Sequence, residues 1–181
     1  MKKQVSVAGV SRNGDGNFRV LILKEVAGER TLPLVIGQAE AQAIVVALEA
    51  LKLPRPLIYD MFANTFEVFD ITLKEVFIYN KKDGVYFTNI ICEQQEKIVE
   101  IDSRPSDDIA LALRTNTTIF LDEEILENYG VNVKDKVVFL KHEMTLFDMD
   151  RAQLEALQEE CVMAEDYEKA AAIRDILKTK I

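Results

Sequence analysis

The chain has 181 residues, 49% hydrophobic and 29% charged, with a formal net charge of −9. That balance is globular rather than disordered, and no apolar run reaches the roughly 18 residues of a membrane span. The acidic excess holds in the first 145 residues and in the remainder alike. It argues against the basic face with which non-specific duplex binders neutralise phosphates. It leaves open a nuclease whose acidic site holds metal ions, because such ions reverse the local field.

Met1-Lys2-Lys3-Gln4 leads into alternating Val-Ser-Val-Ala-Gly-Val, with no apolar signal core and no small-residue cleavage site. The reading is a cytoplasmic protein without a membrane partner. Cys92 falls in a strand-like run and Cys161 in a helix-like one, so buried thiols are expected rather than a disulfide or a metal site.

In chain order, Val5, Val7 and Val10 begin a strand, Asn13 to Asn17 is dense in turn formers, and Phe18–Leu23 resumes with strand composition. That is a hairpin signal. Thr31–Ile36 reads as a third strand, with Pro33 suited to an edge or a strand start. Gln38–Leu51 is Ala-rich, with Ile44, Val45, Leu48 and Leu51 on one face, and predicts a helix. Pro54-Arg55-Pro56 interrupts it, and a second helix is expected from Leu57 to about Phe69. Ile71–Tyr79 and Val85–Cys92 flank an Asp83-Gly84 tip, a second hairpin, and Lys97–Asp102 is a further strand. Pro105-Ser106-Asp107-Asp108 opens a third helix over Ile109–Arg114, with Ser106 as its expected N-cap. Thr118–Leu121 is a short strand, and Glu123–Tyr129 a short helix ended at Gly130. Hairpins followed by helices, without regular βαβ alternation, predict an α+β domain with an antiparallel or mixed sheet. We place it over residues 1–135, followed by a connector over 136–145.

From about Leu146 the pattern is purely helical. Leu154, Leu157 and Cys161 share one stripe and Ala170, Ile173 and Leu177 another, with a break near Glu165-Asp166. This predicts an antiparallel helical hairpin over 146–181. Two short helices bury too little surface to stand alone, so they must cover the main domain or a partner.

Three polar segments could carry chemistry. In Ile36-Gly37-Gln38-Ala39-Glu40-Ala41, Glu40 is either an acidic site residue at a helix start or a glutamate complementing the helix dipole. The latter is worth roughly 0.3–1 kcal/mol. In Pro54-Arg55-Pro56-Leu57-Ile58-Tyr59-Asp60, the prolines fix the backbone around Arg55. Its guanidinium then suits a phosphate or carboxylate, or else it pairs with a neighbouring acid. In Ile101-Asp102-Ser103-Arg104-Pro105-Ser106-Asp107-Asp108, capping accounts for Ser106, Asp107 and Asp108 but not for Asp102 and Arg104. Three carboxylates within these residues could ligate Mg²⁺ or Mn²⁺ through oxygen. A strand-end arginine before a proline has little freedom, so Arg104 is expected to pair with an acid from another segment, Glu40 or Asp60. His142 stands alone in a connector and reads as structural or surface. Glycine loops of the nucleotide-binding type, nucleophile elbows and zinc spacings are all missing from the sequence.

Taken in order, Leu32–Ile44, Pro54-Arg55-Pro56 with Asp60, and Ile101–Leu111 resemble the bifunctional nuclease domain family. The resemblance covers about residues 3–135 and implies an α+β fold and, in at least some members, hydrolysis of RNA and DNA. The family commonly carries Thr-His-Asp after its Arg-Pro, whereas Ile58-Tyr59-Asp60 stands there in this chain. A histidine acting as base or ligand at that place is therefore missing, while Asp60 remains. The segment around Ala164-Glu165-Asp166-Tyr167-Glu168-Lys169-Ala170-Ala171-Ala172-Ile173-Arg174-Asp175 is similar to the UVR motif, a helical hairpin that docks on another such hairpin. That resemblance implies docking contacts at Tyr167, Ala170, Ala171 and Arg174, with a UVR-bearing protein or a second copy as partner, the latter a homo-oligomer.

Two functional readings follow. In the first, the chain is a metal-assisted phosphodiesterase acting on RNA or DNA. Asp60, Asp102 and Asp107 are metal ligands or bases, Glu40 supports them, Arg55 and Arg104 clamp the phosphate, and Mg²⁺ or Mn²⁺ activates the water. In the second, the same charges are a structural ion-pair network, and the chain is an adaptor that recruits a partner through its hairpin.

Overall fold

Alternating apolar residues pair the first three strands into a meander. In the computed structural model, which describes residues 1–12, 19–132, 155, 158, 159, 161–163, 173, 174 and 177, these are β1 (Lys2–Arg12), β2 (Arg19–Glu25) and β3 (Arg30–Ile36), each antiparallel to the next. The register slips between Val7 and Gly9, where Gly9 takes a φ of +151° that a side chain would strain. The predicted turn at 13–17 lies outside the described residues.

Helix α1 (Gln38–Leu48) starts after Gly37. It stops three residues short of the predicted end because Ala50 turns left-handed (φ +50°) and the Leu51 N–H donates back to the Val46 carbonyl. α2 (Ile58–Val68) closes in the same way: Asp70 is left-handed and Ile71 N–H donates to Phe66 O. β4 (Thr72–Lys82) and β5 (Val85–Gln94) form a hairpin over Asp83-Gly84, both with positive φ, as the sequence predicts. Gln95 and Glu96, also both at positive φ, turn the chain into β6 (Lys97–Ser103).

Helix α3 (Pro105–Thr115) corrects the predicted start. Its N-cap residue is Arg104, in extended conformation, and not Ser106. Pro105 has a fixed φ and no N–H to satisfy, so it takes the first helical position, and Ser106 is drawn into the first turn. β7 (Thr118–Asp122), α4 (Glu123–Tyr129) and the two-residue β8 (Val131–Asn132) complete the described domain.

The strands form one eight-stranded mixed sheet in the order β6-β5-β4-β7-β1-β2-β3-β8. β4 and β7 run parallel, and the other described pairs are antiparallel. Among the described residues β8 pairs with Arg30 and Thr31 of β3 and not with Pro33, whose missing N–H suits an unpaired edge. The buried cluster joins Leu21, Leu23, Val76, Ile78 and Leu121 of the sheet to Ile44 of α1, Ile109 of α3 and Leu126 of α4. α3 packs against both α1 and α2. Among the described residues no helix is long and apolar enough to cross a membrane. The predicted connector, with His142, lies outside the described residues, as does most of the hairpin. Its described positions are helical, with Cys161 and Ile173 buried.

Candidate active site

The candidate site sits where three helices begin. Glu40 is the third residue of α1, Tyr59 and Asp60 the second and third of α2, Arg104 the N-cap residue of α3 and Asp107 its third. Acids at such positions meet unpaired backbone N–H groups and the positive end of each helix dipole. The first turns of α1 and α3 meet at Arg104, where one guanidinium stands between two carboxylates.

Arg104 ties the first turns together. Its Nη2 lies 3.1 Å from Glu40 Oε1, and its Nε donates to Asp107 Oδ2 at 2.7 Å. The expected partner from another segment is thus Glu40. The Arg104 side chain is 68% exposed and that of Glu40 17%, so the pair contributes only about 0–1 kcal/mol to stability. An exposed guanidinium fixed at its base can still turn donors toward a phosphate. Gly37 leaves the space Glu40 uses, because a Cβ at Gly37 would overlap Glu40 Oε2.

The Tyr59 hydroxyl donates to Asp107 Oδ1 at 2.6 Å. Burial holds its pKa well above the ordinary phenol range. The hydrogen bond to Asp107 and the charges of Asp107 and Glu40 add to this, and Arg104 opposes it. Tyr59 is therefore a neutral donor and not a base.

Asp60 is fully engaged. Its Oδ2 accepts the Leu57 N–H at 2.6 Å, closing the start of α2, and its Oδ1 accepts Nε of Arg114. Asp108 is 3% exposed and accepts hydrogen bonds from Thr88 (2.9 Å) and Ser103. Burial pushes its pKa up to about 6, against the two hydroxyl donors and with a smaller push from Asp107 and Asp102. Asp102 is exposed on β6, opposite Asn89 of β5. Arg55 is exposed beside a cleft that Asp60 and Arg114 also line.

The structure thus brings Glu40, Arg104 and Asp107 into one cluster, sets Asp60 in a neighbouring ion pair and leaves Asp102 outside both. Among the described residues, no three His, Cys, Asp or Glu side chains gather so as to hold a metal ion. Asp60 and Asp107 are each tied to an arginine, and in this arrangement the described carboxylates read from the sequence do not gather into a protein-made cage for Mg²⁺ or Mn²⁺. Tyr59 and Arg114 join the site as residues the sequence did not single out for a role. Tyr59 stands at the departure from the family pattern, which was the available signal. Arg114 carried none, as a helix-end arginine has an ordinary dipole role. Of the docking residues, Tyr167, Ala170 and Ala171 lie outside the described residues, and Arg174 is an exposed helical position.

The model of the bifunctional nuclease domain matches residues 21–134. The chain belongs to the bifunctional nuclease domain family. An uncharacterized protein of Mycobacterium tuberculosis is 33% identical over 133 residues, covering 74% of this chain and 79% of that one. Bifunctional nuclease 1 of Oryza sativa subsp. japonica and bifunctional nuclease of Oryza minuta are each 22% identical over 125 residues. Those matches cover 67% of this chain but 38% of the plant proteins. The family match contains the cluster at the three helix starts and ends before the C-terminal helical segment.

Proposed function

We propose that this bifunctional nuclease domain hydrolyses phosphodiester bonds of RNA or DNA at the junction of α1, α2 and α3. The observation that carries the reading is one exposed guanidinium at the start of α3, held between the carboxylates of Glu40 in the first turn of α1 and Asp107 in the first turn of α3. In this scheme Arg104 and the first turns of α1 and α3 hold the phosphate oxygens. Glu40, whose one described polar contact is Arg104, takes the proton from an attacking water. The water oxygen bonds to phosphorus, the bond to the leaving oxygen breaks, and that oxygen is protonated from solvent. Tyr59 fixes Asp107, and Asp107 fixes Arg104. Dependence on Mg²⁺ or Mn²⁺ belongs to the proposal as an ion brought with the substrate, since such ions commonly rest on one or two carboxylates plus substrate phosphates. The test is cleavage of end-labelled single-stranded RNA and DNA in Mg²⁺, Mn²⁺ or chelator. Glu40→Gln should slow cleavage by about a hundredfold or more, and Arg104→Gln should raise KM. Cleavage unchanged in both variants refutes the site.

A second reading, a non-enzymatic adaptor, draws on the closed pairing of Asp60 with Arg114 and of Asp107 with Arg104 and Tyr59. On that reading the same variants lower stability and no preparation cleaves nucleic acid. Under either reading we propose that residues 146–181 form the UVR-like docking hairpin, with Tyr167, Ala170, Ala171 and Arg174 in the contact. The partner is a second copy or another UVR-bearing protein.

A further inference from the structure

Beside the cluster lies a second polar site built on Arg114. Its side chain is 8% exposed. Nε donates to Asp60, and Nη1 donates to the carbonyls of Ala43 (3.1 Å) and Ala110 (2.8 Å). Nη2 is covered from solvent and has no hydrogen-bond partner among the described residues. A desolvated guanidinium nitrogen with two unspent hydrogens is costly, and an oxygen that enters past the side chains covering it recovers that cost. Arg114 lines a cleft of about 260 Å³ with Arg55, Asp60, Val46, Leu51 and Leu113. Arg55 is exposed, and its backbone is held between Pro54 and Pro56.

The charge balance of the cleft favours an anion. Two guanidiniums and one carboxylate line the cleft, and the two oxygens of that carboxylate accept hydrogen bonds from Leu57 N–H and Arg114. The last turn of α1 borders the cleft, and its Val46 and Ala47 carbonyls are taken up by the Leu51 and Ala50 N–H groups. The remaining wall is aliphatic. The volume lies just under the roughly 300–1,000 Å³ of drug-sized pockets, which suits one nucleotide-sized occupant.

We propose that this cleft is a nucleotide subsite, with a phosphate on Arg55 and Arg114 and the sugar or base against Val46, Leu51 and Leu113. The proposal rests on the nuclease reading and extends it: the subsite takes a phosphate one position away from the scissile one. Tyr59 stands between the two places, its hydroxyl on Asp107 and its ring centroid 5.5 Å from Arg114 Cζ.

The test is titration of the full chain with adenosine 5′-monophosphate, inorganic phosphate and adenosine, read by calorimetry and by NMR of the arginine Nε–Hε groups. Both phosphates should bind and shift Arg55 and Arg114, and adenosine should not. Arg55→Gln, at an exposed position, should weaken both by about tenfold or more. Ala47→Leu, which fills the cleft without removing a charge, should weaken the nucleotide more than inorganic phosphate. Equal binding to Arg55→Gln, or adenosine binding as well as its monophosphate, overturns the subsite. Cleavage of nucleic acid without nucleotide binding in the cleft sinks the subsite alone. Nucleotide binding without cleavage of any strand sinks the nuclease reading and leaves the cleft as a nucleotide site.

Discussion

Tyr59 donates its hydroxyl to Asp107 at 2.6 Å while its ring lies under the Arg114 guanidinium at 5.5 Å. One side chain of α2 thus braces both ends of α3, at the position where the family commonly has histidine. Because the phenol is held neutral, it positions Asp107 rather than moving protons. Tyr59→Phe should cost about 0.5–1.5 kcal/mol of stability and leave cleavage within about tenfold of the parent. Tyr59→His puts an imidazole beside Asp107, whose charge raises the imidazole pKa above its usual value of about 6.5. The variant's pH–rate profile should gain a step on the alkaline side of that value. Superimposable profiles for the two proteins would place position 59 outside the reach of the reaction.

Gly37 gives an independent handle on Glu40. Its φ of −72° is open to any residue, so alanine leaves the backbone alone and acts only through the Cβ that displaces the Glu40 carboxylate. Gly37→Ala should melt close to the parent, within about 1 kcal/mol, while losing cleavage as Glu40→Gln does. Full activity in Gly37→Ala would show that the Glu40 carboxylate is not needed where it stands.

Much of this fold is written in local signals. The Asp83-Gly84 tip, the prolines around Arg55 and the acidic first turns announce a hairpin, a break and helix starts. Helix ends are harder to read, because α1, α2 and α3 close on left-handed Ala50, Asp70 and Asn116 rather than on glycine. At Ala50 the backbone bond from Leu51 to Val46 outweighs the side chain's preference. The Gln95-Glu96 turn is hidden for the same reason: the β5–β6 ladder imposes a conformation neither residue favours. The site was legible as three polar segments, and a pairing of Arg104 with Glu40 or Asp60 followed from the constraint on Arg104. The separation of Asp60 and Asp102 from that cluster was not. It depends on Arg114 reaching Asp60 across 54 positions of sequence and on the register that leaves β6 at the sheet edge.

That separation makes Asp60 a fold residue. Removing its charge leaves Arg114 buried without its counter-ion, a loss of about 3 kcal/mol or more. Asp60→Asn should lower the melting temperature markedly. Added Mg²⁺ should not restore it, and cleavage per folded molecule should be retained. Asp102→Asn, on the exposed edge strand, should leave both stability and cleavage near the parent. An Asp60→Asn protein of parental stability with altered Mg²⁺ dependence would instead make Asp60 a ligand.

Asp108 gives the fold a pH signature. Its carboxyl ionises near 6 when folded, against an ordinary 3.8, so the folded state binds the proton more tightly than the unfolded chain. The stability this provides is complete below pH 4 and is lost as pH rises through about 6. The span is worth about 3 kcal/mol. Asparagine can keep both hydroxyl contacts, since Ser103 and Thr88 donate or accept equally well. Asp108→Asn should therefore stabilise the protein at pH 7 to 8 and lose that advantage near pH 4. Parallel melting curves across this range would show that Asp108 is not protonated in the fold.

The C-terminal segment can be separated from the domain by the same accounting of contacts. The hydrophobic cluster that holds the sheet to α1, α3 and α4 runs from Val5 to Leu126 among the described residues. Cys161 and Ile173 are buried but do not belong to it. Deleting residues 146–181 should therefore leave a domain that melts cooperatively and keeps its cleavage activity. Self-association, measured by sedimentation or light scattering, should be lost with the deletion if the hairpin docks on a second copy. If the full chain is monomeric, the partner is another UVR-bearing protein, and the isolated segment should bind that protein's hairpin. A deletion that fails to fold, recovered only as aggregate, would instead place the segment in the domain core and end the docking proposal.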